Sequence, residues 1–441
     1  MSKRFILAIT TILLSAGVFA QQRNADGQMM RPQRPKSPEI SADGKVTFRL
    51  SASKASEVLV HNTTGGWAVW PEGADVAMTK DDQGVWSVTI GPLKPEFYTY
   101  TFLVDGVQAL DPSNSMISRD GSAYSSSLRM SGDRTANYQI KDVPHGALTR
   151  VWYPSPTLKM TRRAYIYTPP GYETSGNTRF PVFYLLHGGG GDEDAWTTLG
   201  RTPEILDNLI AAGKARPMIV VMTNGNANQK ASQDVLQAPQ MGGAGGPGGQ
   251  ARPGADASPQ EIAAAQAQWA RFQNSLVNDV IPYVDKTYRT KADRENRAIA
   301  GLSMGGAQTF YIAFNHIDLF SYVGVFSAGW PTIPGISVPI PAPANADQLR
   351  GPDITRSVDP EKFFALMPQL NSSANARLRL LYVHCSAEDG LITVHNLIKD
   401  QLKARGINAT VMETRGYGHE WPFWRVTLED YAPRLFQAAA K

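Results

Sequence analysis

The sequence predicts an α/β domain with a mostly parallel central sheet, preceded by a small all-β sandwich. Three observations carry this. Residues 38–142 hold short runs in which polar and apolar side chains alternate, separated by turn dipeptides. From residue 143 onward, apolar strand-like runs alternate with helical patterns. Within that second region an apolar run, residues 298–300, enters Gly301-Leu302-Ser303-Met304-Gly305, and Gly306, Ala307 and Gln308 then suit the start of a helix.

In chain order, residues 1–20 read as a signal peptide. Lys3 and Arg4 form the positive start, residues 5–14 the apolar core, and Val18-Phe19-Ala20 a small-residue cleavage site. The apolar run is short for a membrane span, so the expectation is a cleaved, secreted or periplasmic protein with no span left. Residues 21–37, rich in Gln, Arg, Pro and Asn, read as a disordered leader.

The 441 residues are 42% hydrophobic and 19% charged, an ordinary globular composition for two or three domains. The formal charge of +4 includes Lys3 and Arg4, and no basic stripe follows them. A nucleic-acid partner is therefore not expected. Cys385 is the single cysteine, so no internal disulfide can form and stability must come from core burial.

The β-sandwich is assigned to residues 38–142. Lys45-Val46-Thr47-Phe48-Arg49-Leu50, Trp86-Ser87-Val88-Thr89-Ile90 and Tyr98-Thr99-Tyr100-Thr101-Phe102 alternate with period two. Asp43-Gly44, Gly65-Gly66, Asp82-Gln83-Gly84 and Asp105-Gly106 supply the turns. Residues 97–106 followed by Asp111-Pro112-Ser113-Asn114 resemble the early-set immunoglobulin-like modules of carbohydrate-binding family 48. Trp67, Trp70 and Trp86 either stack on sugar rings or pack a core or domain interface.

The α/β domain is assigned to residues 143–441. Strands are expected at 164–168, 182–186, 218–223, 297–301, 322–326, 379–384 and 409–413. Ser258-Pro259-Gln260-Glu261 is a capping box with Pro at the first helical position, opening a long helix towards Tyr288. Residues 391–405 form another helix, stopped by Gly406. Residues 226–257 contain a Gly/Pro-rich tract that cannot pack a core. They read as an insertion on the active side of the sheet, either a surface loop or a lid.

The chemistry falls at strand ends. Gly301-Leu302-Ser303-Met304-Gly305 is a nucleophile-elbow pattern: a sharp strand-to-helix turn presents Ser303, and glycines on either side remove colliding side chains. Upstream, residues 184–186 lead into His187-Gly188-Gly189-Gly190-Gly191. The amides of these four glycines, paired with that of Met304, can form a two-donor hole for a developing oxyanion. His187 precedes the nucleophile and reads as structural. Downstream, residues 380–384 release Glu388 and Asp389. Asp389 is the expected partner of the catalytic imidazole, with Glu388 the alternative. Last comes Arg415-Gly416-Tyr417-Gly418-His419, whose glycines allow a loop that returns His419 over the sheet as general base. The order Ser303, Asp389, His419 is that of α/β-hydrolases. The histidines show no metal-ligand spacing, so neither metal nor cofactor is expected. Cys385 on an apolar strand reads as packing.

Residues 183–191, residues 295–306 and Gly418-His419-Glu420-Trp421-Pro422 resemble the esterase-D-like family, carbohydrate esterase family 1, which includes feruloyl and acetylxylan esterases. The resemblance covers roughly residues 145–441, and the sandwich ahead of it looks like the accessory domain of bacterial members. It implies Ser303, Asp389 and His419 as catalytic residues and Met304 with Gly188 or Gly189 as oxyanion donors. The implied substrate is an ester-decorated polysaccharide, with ferulate or acetate on xylan as the acyl group. Trp330, Trp421 and Trp424 either stack an aromatic acyl group or pack. The alternatives are a siderophore esterase of the enterobactin type, or a non-catalytic carbohydrate-binding protein on an esterase scaffold.

Overall fold

The computed structural model describes residues 34–64, 70–231, 258–329, 337–339, 356–358 and 360–437. The signal peptide, most of the leader, Trp67, Trp330 and residues 232–257 of the insertion lie outside the described residues, so the lid reading does too.

The first layer is a sandwich of antiparallel strands. One sheet runs Glu39–Ile40, Val46–Ser51, Val85–Ile90, Thr79–Lys80; the other contains Asp75–Ala77, Val58–Asn62, Phe97–Val104, Ala123–Arg129 and Ile117–Asp120, with Val107–Ala109 paired to Phe97–Val104. The period-two pattern explains it, because alternate residues Val46, Phe48 and Leu50 meet Val58, Val60, Tyr100 and Phe102 between the sheets. Trp70 and Trp86 belong to this core: Trp70 lies 5.4 Å from the Phe48 ring and Trp86 Nε1 donates to the Ala52 carbonyl at 2.9 Å. These two indoles are packing residues, which removes them as sugar platforms. Arg34 to Ser37, assigned above to the leader, are tied down as well. Arg34 donates to the Pro112 carbonyl at 2.6 Å, and the buried Ser37 hydroxyl donates to Asp111 at 2.6 Å.

The second layer is an eight-stranded sheet in the order Ala147–Ser155, Met160–Thr168, Ile219–Thr223, Val182–Leu186, Arg297–Leu302, Tyr322–Phe326, Leu380–Ser386, Thr410–Thr414. The first two strands are antiparallel to their neighbours and the rest are parallel. Central strands are continuously apolar because helices cover both faces. Val182, Tyr184 and Leu186 face a cluster with Phe272, Phe310, Phe314, Val394 and Ile398. Phe183 and Leu185 face one with Ile205, Leu206, Phe423 and Leu428. The Ala147–Ser155 strand was not expected from sequence; its mostly exposed side chains lack a clear alternation. The helix expected to run unbroken to Tyr288 is interrupted: Pro259–Ser275 passes through a π turn, Leu276–Val280, into Ile281–Thr287, where Pro282 cannot donate in a regular ladder.

Buried charges join the layers. Arg425 of the helix Trp421–Tyr431 donates to Glu96 of the sandwich at 2.9 Å, and Tyr138 donates to the same carboxylate at 2.6 Å. Arg119 at the end of the sandwich reaches Asp192 and Asp194. Such ion pairs are near neutral when intact, but loss of one partner costs about 3–5 kcal/mol because a charge is left buried.

Candidate active site

Ser303 stands between the strand Arg297–Leu302 and the helix Met304–Asn315 at φ 53° and ψ −116°. Such a backbone costs roughly 1–3 kcal/mol and survives only where neighbours over-determine it. They do so here. Ser303 N–H donates to the Phe326 carbonyl at 2.9 Å, and its carbonyl accepts from Gly329 at 2.9 Å and Ala307 at 3.1 Å. A methyl group at Gly301 would lie 2.4 Å from the Gly305 carbonyl oxygen, and one at Gly305 would lie 2.4 Å from that of His187. The elbow glycines are dictated by backbone against backbone.

The Val182–Leu186 strand lies beside the elbow strand and delivers the second glycine segment to Ser303. A methyl group at Gly188 would come within 3.3 Å of the Ser303 Cβ. The amides of Gly188, Gly189 and Met304 donate no hydrogen bond among the described residues. The Met304 amide opens a helix, where the backbone dipole adds positive charge. Amides with no partner among the described residues, next to Ser303 at Met304 and in the neighbouring glycine segment, are suited to a developing oxyanion. His187 is structural: its Nδ1 lies 2.7 Å from the Gly188 carbonyl and its Nε2 accepts from Gly225 N–H at 2.7 Å. Burial holds its pKa down to about 4, so the ring is neutral.

Asp389 ends the run after the strand Leu380–Ser386 and is fully buried. Its carboxylate accepts from His419 Nδ1 at 2.9 and 3.1 Å and from Leu391 N–H at 2.7 Å. The proton on Nδ1 leaves Nε2 as the basic nitrogen. Glu388, the alternative acid, is used elsewhere: it accepts from Ser386 and from Gly416 N–H, both at 3.1 Å, and so shapes the loop that carries His419. The single Ser386 O–H proton is shared between Glu388 and the closer Tyr417 carbonyl at 2.7 Å, tying that loop to the acid strand. The His419 ring packs edge-on against Trp424 at 5.0 Å, and Trp424 against Trp421 at 5.1 Å. Trp424 is buried and backs the imidazole, while Trp421 is only half-buried. No hydrogen bond joins Ser303 Oγ to His419 among the described residues. That contact is often long before substrate arrives. Cys385 is buried and its thiol is pushed well up by desolvation, which suits packing and not attack.

The sequence missed the sandwich residues at this site. Asp120 accepts from Trp421 Nε1 at 3.3 Å, and Gly121 lies against Gly190. Arg119-Asp120-Gly121 reads locally as any hairpin turn, and only tertiary contact reveals its place. Among the described residues no group of three or more His, Cys, Asp or Glu could hold a metal, and no helix is long and apolar enough to cross a membrane.

The Esterase family, described as "Putative esterase", matches residues 155–435. A curated relative from Xylanibacter ruminicola, an endo-1,4-beta-xylanase/feruloyl esterase, is 29% identical over 406 residues, covering 91% of this chain and 46% of the relative. Endo-1,4-beta-xylanase Y of Acetivibrio thermocellus is 26% identical over 173 residues, covering 37% of this chain and 12% of the relative. The chain thus spans less than half the length of either protein. Among solved structures, the enterobactin esterase of Shigella flexneri superposes with a TM-score of 0.54 at 17% identity, covering 88% of this chain and 92% of that one. A ferulic acid esterase of Anaeromyces mucronatus gives 0.48 at 22% identity, covering 70% and 98%. The structural likeness establishes an α/β-hydrolase fold behind an all-β domain, and the family match, over more than half of the chain, shows that this protein belongs to the esterase family.

Proposed function

We propose that this protein is an exported serine esterase that removes feruloyl or acetyl groups from plant cell-wall polysaccharide such as xylan. One observation carries the mechanism: a strained Ser303 lies beside Gly188 and the Met304 amide, which donates no hydrogen bond among the described residues, and His419 is locked to a buried carboxylate. His419 Nε2 takes the Ser303 proton as Oγ attacks the ester carbonyl. Met304 and Gly188 or Gly189 stabilise the oxyanion; removing one such donor costs about 3–4 kcal/mol of barrier stabilisation. The tetrahedral intermediate collapses, and the sugar hydroxyl leaves with the proton from His419. Water, deprotonated by His419, then attacks the acyl-Ser303 and releases the acid. The Xylanibacter ruminicola relative, whose name couples xylanase to feruloyl esterase, supports the substrate class. Residues 1–20 support export.

The test assays wild type and Ser303→Ala on methyl ferulate, an aryl acetate, acetylated xylan and a catecholate trilactone. The expected result is turnover of ferulate or acetate esters by wild type and a loss of roughly 10⁶-fold in the variant. Equal rates in the two proteins would end the serine mechanism. Preferred hydrolysis of the trilactone would move the substrate to a siderophore.

A further inference from the structure

The sandwich touches the proposed oxyanion segment at Gly190. Among the described residues Gly189 and Gly190 have open space where a side chain would stand, so the stretch is held by polar contacts: His187 Nδ1 lies 2.7 Å from the Gly188 carbonyl, Gly191 N–H donates to that carbonyl at 3.3 Å, and Asn226 Nδ2 donates to the Gly191 carbonyl at 3.2 Å. On its far side lies the hairpin between Ile117–Asp120 and Ala123–Arg129. A methyl group at Gly121, the positive-φ residue of that hairpin, would fall 2.1 Å from the Gly190 carbonyl oxygen. The tip therefore presses bare backbone on bare backbone. Arg119, two residues before, is buried and holds three partners at once. Nη1 donates to the Gly121 carbonyl at 2.9 Å, fixing the tip itself. Nη1 and Nη2 form a fork on Asp192, the residue directly after Gly191, with Nη2 at 3.0 Å. Nε donates to Asp194 at 3.2 Å. Asp120 runs from the same tip to Trp421, which backs Trp424 and through it His419.

We propose that this hairpin is a working part of the hydrolase, with Arg119 a positioning residue that holds the Gly188–Gly191 amides at the oxyanion and Gly121 the contact that sets their distance. The proposal rests on the esterase reading above. It makes the sandwich part of the catalytic geometry, whatever else it binds. A planar fork suits the task because two parallel donors fix direction as well as distance, which a lysine ammonium cannot.

The test uses the full-length protein. Arg119→Met, Arg119→Lys and Gly121→Ala are assayed on methyl ferulate, with thermal unfolding followed for each and Ser303→Ala as the dead control. A displaced donor weakens the transition state and not the ground state, so kcat should fall and KM should stay within about 3-fold. For Arg119→Met the fall should be on the order of 100-fold, the effect of a misplacement of about 1 Å. Arg119→Lys should recover part of it. Gly121→Ala removes no charge and should still lower kcat. Ferulate binding to the same variants in the Ser303→Ala background should be unchanged. Wild-type kcat in folded Arg119→Met, or a change confined to KM, would overturn the proposal while the esterase reading stands. If Arg119→Met fails to fold, wild-type kcat in folded Gly121→Ala overturns it alone. If wild type and Ser303→Ala are equally inactive on every ester, both readings fall together.

Discussion

Two glycine segments flank the candidate nucleophile, and they are held in opposite ways. At Gly301 and Gly305 any added methyl group collides with backbone of the same domain. The elbow is braced by its own strand, helix and neighbouring loop. At Gly189 and Gly190 nothing among the described residues stands within 4 Å of such a methyl group; His187 and Asn226 of the same domain hold the segment by hydrogen bonds, and Arg119 and Gly121 add a restraint from outside. Local geometry dictates the first segment. The second is also braced by a hairpin that arrives from another domain.

The comparison breaks or sharpens under substitution. The largest effect is expected at the relay that both segments serve. Asp389→Asn preserves the shape but favours the wrong His419 tautomer, so kcat should fall about 10⁴-fold with little change in KM. A fall of under 10-fold, read from steady-state kinetics, would free Asp389 from its role. Next, Gly305→Ala should cost more than about 3 kcal/mol or prevent folding, since backbone cannot yield as a flexible side chain can. A denaturant midpoint near that of wild type would contradict the self-braced elbow.

Acid should loosen the protein too. Burial depresses His187, His384 and His395 to about 4 from an ordinary 6.5. The unfolded chain takes up protons between pH 6.5 and 4 that the native state refuses, so stability is present above that window and lost as pH falls through it. Each histidine contributes roughly 1.4 kcal/mol per pH unit inside the window. Asp192 acts the other way. Burial and then Glu193 push its carboxyl up, while the Arg119 fork favours its charged form. The net result is a lower urea midpoint at pH 4.5 than at pH 7, and a higher one would refute the assignment. The smallest effect belongs to Gly189→Ala, expected within about 0.5 kcal/mol of wild type in stability because the site is open. A large loss there would show that the second segment is packed after all.

What could be read from the sequence follows the same division. The elbow, the glycine run and the strand-end positions of Asp389 and His419 were legible because each is set by residues adjacent in the chain. Trp70 and Trp86 were ambiguous, since an indole that packs a sandwich and one that stacks a sugar have the same alternation around them. The edge strand Ala147–Ser155 was invisible because most of its side chains face solvent. Arg119 and Gly121 were missed for a further reason. Arg119 lies 73 residues from Asp192 in sequence, and an Asp-Gly hairpin signals only a turn.

The central claim is tested most directly by a crystal structure of the wild-type protein after reaction with a fluorophosphonate. The account predicts phosphorus bonded to Ser303 Oγ. One phosphoryl oxygen should lie within about 3.1 Å of the Met304 amide and of Gly188 or Gly189. His419 Nε2 should lie within hydrogen-bond reach of Oγ, with Nδ1 still on Asp389. Phosphorus on another residue, or an adduct at Ser303 whose oxygen faces away from those amides with His419 out of reach, would contradict it.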